Sequence, residues 1–143
     1  MFSKIYWETD LHFFIYNFYS KFTYYILGDF MVDYLYLKDS LHTFSQNYNF
    51  LKIFSIGKSV LNNEIYCIKF GIGKKEVLYT GGIHANEWIT SLLLIKFTHN
   101  LCNAFVSNSQ IYGYDAKYLY ENCSLYIIPM INPDGINLVN NFY

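Results

Sequence analysis

The sequence contains no arginine: its ten basic residues are all lysines. No guanidinium fork is therefore available for two-pronged capture of a carboxylate or phosphate. Cysteine is scarce as well, with only Cys67, Cys102 and Cys123. An odd number, widely spaced and without a CxxC pair, excludes a disulfide framework and a thiolate zinc site, and is expected to give reduced, mostly buried thiols. Charge is sparse too, at 15% of residues with a formal net charge of -1. That leaves no electrostatic footprint for nucleic acid or for an anionic membrane surface. What the chain has instead is apolar material, 53% hydrophobic and 22% aromatic, enough to argue against disorder. Its 143 residues suit one domain with a real core and are too few for two of ordinary size.

Residues 1–30 are dense in Tyr and Phe, and Leu11 to Leu27 is the stretch nearest to a membrane segment. His12, Asn17, Ser20 and Lys21 interrupt it, and it falls short of the ~20 apolar residues needed to span hydrocarbon. Trp7-Glu8-Thr9-Asp10 puts acids where a signal peptide should pass from a basic start to an apolar core. We therefore expect an extension of unknown role with no membrane span. The expected location is the cytoplasm, with a secreted or spore-associated location as the alternative.

From Met31 a helical period sets in: Tyr34, Leu37, Leu41, Phe44 and Tyr48 share one stripe, with Asp33, Lys38, Asp39 and Gln46 off it. His42 is expected at the surface. Leu51 to Gly57 and Glu64 to Gly71 then read as the two strands of a hairpin, Gly71 to Lys75 as a turn, and Glu76 to Thr80 as a third strand. Gly71-Ile72-Gly73 lacks the third glycine and the following helix of a nucleotide-binding loop. Trp88 to Phe97 is apolar nearly all round, after which Leu94, Phe97, Leu101 and Phe105 narrow to one stripe, so a buried helix is expected here. A loop over Val106 to Gly113 and a short helix near Asp115 to Glu121 lead into Ser124 to Ile131, a strand apolar enough to be buried on both faces. Asn132-Pro133-Asp134-Gly135 is expected to close it as a type I turn.

The chemistry gathers at His84 and Glu87, three residues apart between the glycines that end a strand and the start of the apolar helix. An imidazole nitrogen and a carboxylate at that spacing suit Zn²⁺, which takes N and O ligands at ~2.0–2.2 Å and usually three protein ligands plus water in catalytic sites. The competing account is that Glu87 stabilises the helix N-terminus while His84 is a hydrogen-bonded loop residue. No other histidine completes the set. His99 lies twelve residues further along the same helix, roughly 18 Å from Glu87. His12 and His42 carry no motif around them.

Gly82-Ile83-His84-Ala85-Asn86-Glu87-Trp88-Ile89-Thr90 resembles the first zinc-binding motif of the zinc metallocarboxypeptidases of the carboxypeptidase A type, and Asn132-Pro133-Asp134-Gly135 resembles the loop that follows it in that family. Phe54 to Leu61 with Ile65 to Lys69 is similar to the strand pair before the motif, and Ile111 to Asp115 to the bacterial branch that cleaves γ-D-glutamyl-diamino acid bonds in cell-wall peptides. The resemblance covers residues 31–143. It implies an α/β fold, the truncated N-terminal part of a mixed-sheet sandwich with Zn²⁺ at the carboxyl ends of central strands. It also implies peptide substrates and metal ligation by His84 and Glu87. Zinc would polarise the scissile carbonyl and acidify water while a carboxylate base takes the proton.

Several family features have no counterpart in these residues. The third ligand, the substrate-binding and carbonyl-polarising arginines, the active-site tyrosine and the general-base glutamate all lie well beyond the Asn-Pro-Asp-Gly loop in the family. No catalytic or substrate-binding residue can be assigned. Asn62-Asn63 stands where a glycine and a basic residue are common, and Asn86 stands where the animal digestive enzymes have arginine. The expectation is an N-terminal fragment with two of three zinc ligands and little or no peptidase activity by itself. The alternative is a non-catalytic interaction module, or one part of a multi-chain assembly, associating through an unpaired sheet edge.

Overall fold

The computed structural model describes residues 32–140. The expectations for residues 1–30, including the Leu11 to Leu27 stretch and His12, lie outside them. The first helix, α1 (Tyr34–Asn47), starts where Asp33 takes extended backbone and its carboxylate accepts the Tyr36 N–H at 2.7 Å. The expected stripe is the buried one, Tyr34, Leu37, Leu41 and Phe44, and it continues into Tyr48 at the helix end. His42 is exposed, as expected.

Strands β1 (Lys52–Lys58) and β2 (Glu64–Phe70) form the expected antiparallel hairpin, with Phe54 opposite Cys67 and an irregularity in register between Ser55 and Gly57. Next comes β3 (Lys75–Thr80), then the long helix α2 (Trp88–Val106). A two-residue ribbon, β4 (Gln110–Ile111) with β5 (Tyr114–Asp115), occupies part of the stretch expected to be loop. Helix α3 (Ala116–Asn122), capped by Asp115, leads into β6 (Cys123–Ile128). The four longer strands make one mixed sheet in the order β1-β2-β6-β3, in which β2 and β6 are antiparallel and β3 and β6 parallel. A parallel pair needs a long crossover, which α2, the ribbon and α3 supply.

The sequence pattern explains the layering. β6 sits between two neighbours and carries the almost unbroken apolar run, with Leu125, Ile127 and Ile128 buried. Phe70 is fully buried and meets Phe105 at 5.7 Å and Tyr120 at 5.2 Å between ring centroids, so β2, α2 and α3 share one aromatic core. Burying a side chain of that size contributes about 1.5–3 kcal/mol. Helix α2 is long and apolar enough to cross a membrane by composition alone, but its Leu92, Ile95, Leu101 and Cys102 are buried in this core. Its deepest face follows Ser91, Ile95, Thr98 and Cys102; of the expected Leu94, Phe97, Leu101 and Phe105 stripe, Leu101 is fully buried and the other three are half-buried. Small and polar residues on the deep face hid it from a hydrophobic count. The thiols of Cys67 and Cys102 are buried and that of Cys123 half-buried, all three free.

Two boundaries differ from expectation, the first being that β6 ends at Ile128 where the strand was expected to run to Ile131. Asn132-Pro133-Asp134-Gly135 is not an isolated turn but the start of helix α4 (Pro133–Asn140). Asn132 Oδ1 accepts the Gly135 N–H at 2.9 Å, the bond of an N-cap, and Pro133 stands at the first helical position, where its missing N–H costs nothing. A type I turn and the first turn of a helix have nearly the same backbone angles. What decides between them is the residues that follow.

Candidate metal centre

The sheet sets the site. Because β3 and β6 run parallel, their carboxyl ends lie side by side, and the pairing continues past both strands. Gly81 N–H donates to the Ile128 carbonyl at 3.0 Å, Ile131 N–H to the Gly81 carbonyl at 3.0 Å, and Asn132 N–H to the Gly82 carbonyl at 2.9 Å. The ladder thus steps over Pro129, which has no N–H to give. The segment after β3 is held against the segment before α4, at the carboxyl ends of the strands, where open α/β sheets place ligands.

From this pinned base the chain leaves as an exposed loop. A turn in which Glu87 N–H donates to the His84 carbonyl at 3.0 Å brings the two candidate side chains together, His84 Nδ1 and Glu87 Oε2 lying 3.1 Å apart. Both reach solvent, with side-chain exposures of 72% and 48%. The competing account assigned Glu87 to the helix end, and it does occupy the N-cap position, but its carboxylate makes no capping hydrogen bond and turns to His84 instead. Two donors each ~2.0–2.2 Å from one ion are at most about 4 Å apart, so the observed separation admits a shared cation. An exposed imidazole nitrogen and carboxylate facing one another, with no bond from the carboxylate to the helix, are a donor set that fits zinc.

Among the described residues no third His, Cys, Asp or Glu joins the pair. His99 packs instead against the rings of Phe44 and Tyr48, with centroids at 6.4 and 6.3 Å. Gly71-Ile72-Gly73 is a connection between β2 and β3, with Ile72 N–H donating to the Tyr120 carbonyl at 2.8 Å.

Two supporting residues escaped the sequence reading. Asn132 donates its side-chain amide to the Ile83 carbonyl at 3.2 Å, directly before His84. Thr90 Oγ1 accepts the Gly82 N–H at 2.8 Å and donates to the Glu87 carbonyl at 2.7 Å. The S/T signal at Thr90 was present in the sequence, but it lies inside the helix, where a hydroxyl ordinarily bonds its own preceding turn.

Asp134, next to this anchor, holds the β1–β2 turn. Its carboxylate accepts from Ser59 Oγ at 2.7 Å, Leu61 N–H at 2.9 Å and Asn63 Nδ2 at 2.8 Å. Burial pushes its pKa up, but the hydrogen bonds from Asn63, Leu61 and Ser59 outweigh this and hold it below the usual carboxylate range. The departure at Asn62-Asn63 has a physical account here. Asn62 adopts φ 67°, a left-handed conformation that asparagine tolerates, and Asn63 supplies a neutral donor to the aspartate.

Residues 37–142 match the zinc carboxypeptidase family. Gamma-D-glutamyl-L-diamino acid endopeptidase 1 of Lysinibacillus sphaericus is 37% identical over 109 residues, covering 76% of this chain and 28% of that protein. Carboxypeptidase D of Homo sapiens is 30% identical over 103 residues, covering 66% of this chain and 7% of its own length. Among solved structures, bovine thrombin-activatable fibrinolysis inhibitor bound to tick carboxypeptidase inhibitor superposes with a TM-score of 0.63 at 20% identity, over 77% of this chain and 34% of that one. This likeness concerns the fold. The chain spans 28% or less of each of these two curated relatives.

Proposed function

Because the chain belongs to the zinc carboxypeptidase family, we propose that His84 and Glu87 are two ligands of its catalytic zinc and that the parent activity is hydrolysis of γ-D-glutamyl-diamino acid bonds in cell-wall peptides. The observation that carries the ligand assignment is the convergence of His84 Nδ1 and Glu87 Oε2 to 3.1 Å at the carboxyl ends of parallel strands, with the Glu87 carboxylate uncommitted to the helix. The substrate class is supported by the 37% identity to the Lysinibacillus endopeptidase.

When bound, zinc supplies Lewis-acid polarisation of a carbonyl and an acidified water. The residues of this chain contribute the metal loop, its anchor on the β3–β6 ladder, and an exposed face through which a peptide can reach it. No arginine is present in these 143 residues to stabilise developing negative charge. Lost charge stabilisation and lost general-base catalysis each cost a factor of ~10² or more, so the 143-residue polypeptide alone is expected to be catalytically silent.

The test is a zinc titration of the 143-residue chain followed by NMR at the His84 ring. We expect binding weaker than micromolar, because two ligands leave a zinc site half filled, and loss of the ring shifts in Glu87→Ala. Micromolar affinity, or shifts indifferent to Glu87→Ala, would overturn the two-ligand assignment. Zinc-dependent cleavage of a γ-D-glutamyl-diaminopimelate peptide by the same polypeptide, abolished in Glu87→Ala, would overturn the expectation of silence.

A further inference from the structure

Helix α2 begins at Glu87, whose carboxylate would ordinarily accept the N–H of the third helical residue, Thr90. That N–H goes instead to the Glu87 backbone carbonyl at 2.9 Å, and the Thr90 hydroxyl adds a second donor to the same oxygen at 2.7 Å. The same hydroxyl accepts the Gly82 N–H at 2.8 Å. One oxygen therefore joins the strand side of the metal loop to its helix side, across the turn that displays His84. The neighbouring Ser91 hydroxyl has no such part, being fully buried and without a hydrogen-bond partner.

We propose that Thr90 is the positioning residue of the metal loop: its hydroxyl closes the loop between Gly82 and Glu87, while its N–H, taken by the Glu87 carbonyl, leaves the Glu87 carboxylate facing His84. A loop closed in advance loses less freedom when a cation arrives, so removing the clasp should weaken metal binding without touching a ligand. The inference rests on the assignment of His84 and Glu87 as ligands, and its test separates the two.

Thr90→Val keeps the β-branched shape and deletes the hydroxyl; Thr90→Ser keeps the hydroxyl and deletes the methyl. Zinc titrations of the unmutated 143-residue chain, His84→Ala and both Thr90 variants, read by NMR, decide the matter. Absence of zinc shifts at His84 in the unmutated chain, or shifts elsewhere that persist in His84→Ala, overturns the ligand assignment and the inference with it. Where the unmutated chain binds through His84, the expected result is affinity on the order of tenfold weaker in Thr90→Val, as for other residues that support ligands, near its original value in Thr90→Ser, and unchanged amide dispersion in both. A folded Thr90→Val that binds zinc as well as the unmutated chain overturns the positioning role alone. Should Thr90→Val unfold, the Gly82 amide of the unmutated chain carries the test: slow hydrogen exchange supports the clasp, and exchange at the rate of a free loop amide refutes it.

Discussion

Gly82→Ala should be among the most damaging small substitutions near the metal loop, and the structure gives its cost in two separable parts. Gly82 has φ +58°, so any L-residue there incurs the left-handed penalty of about 1–2 kcal/mol. The second part is steric. A Cβ at Gly82 would stand 2.5 Å from Ser91 Oγ, 2.7 Å from Ile136 Cδ1 and 3.2 Å from Met130 Cα. Ser91 and Ile136 are both fully buried, so neither side chain can swing aside into solvent. Overpacking of this kind costs about 1–3 kcal/mol, for a total of about 2–5 kcal/mol. Gly113→Ala is the matched control: Gly113 has φ +85° in the β4–β5 turn, but a Cβ there meets nothing within 4 Å. It should show the backbone penalty alone. Urea unfolding of both variants, with slopes of ~1–3 kcal/mol/M, should place the midpoint of Gly82→Ala roughly 1 M below that of Gly113→Ala. Equal midpoints would refute the packing argument. Because Gly82 also accepts from Asn132 N–H and donates to Thr90, its displacement should broaden the His84 and Glu87 resonances as well.

Asp134→Ala removes the acceptor of three hydrogen bonds from the β1–β2 turn, and at a half-exposed position this should cost about 1–2 kcal/mol. Leu61 amide exchange should accelerate in that variant; an unchanged rate would refute the tether. The Asp134 carboxyl is held below the usual range, so its contribution is present above the unfolded pKa of about 4 and lost as pH falls through the lowered folded value. The unmutated chain should therefore lose more stability on acidification than Asp134→Ala, and parallel acid profiles would contradict this. Burial pushes the Cys102 thiol up to about 12, leaving almost no thiolate at pH 8. A disulfide-exchange reagent should label half-exposed Cys123 well before fully buried Cys102 in the folded chain, and the reverse order would show that the core opens.

The limits of reading this fold from sequence follow from the range of the interactions involved. Tyr34, Leu37, Leu41 and Phe44 recur at the period of a helix that buries one stripe, so α1 could be read from its own residues. The same count found only Leu101 among the fully buried residues of α2, because Ser91 and Thr98 are fully buried there although neither is apolar. The difference lies in what each helix meets. α1 packs through large side chains, whereas α2 also packs closely on the backbone of the loop glycines, Ser91 Oγ lying 2.5 Å from where a Gly82 Cβ would stand. The His84–Glu87 pair was recognisable because its two members lie three residues apart in one loop. Its supports were not, since Asn132 reaches the Ile83 carbonyl across 49 residues and Asp134 reaches Ser59 across 75. The Asn-Pro-Asp-Gly segment thus serves both as the start of α4 and as the brace between the metal loop and the first hairpin. Its two polar side chains point to opposite partners, Asn132 to the loop carrying His84 and Asp134 to the β1–β2 turn. A rigid helical first turn can keep both contacts in register at once; a free turn of the same sequence would leave each to be ordered separately, at about 1–2 kcal/mol per residue fixed. The helix that the sequence reading cut short is therefore what allows four residues to hold the metal loop and the hairpin in one frame.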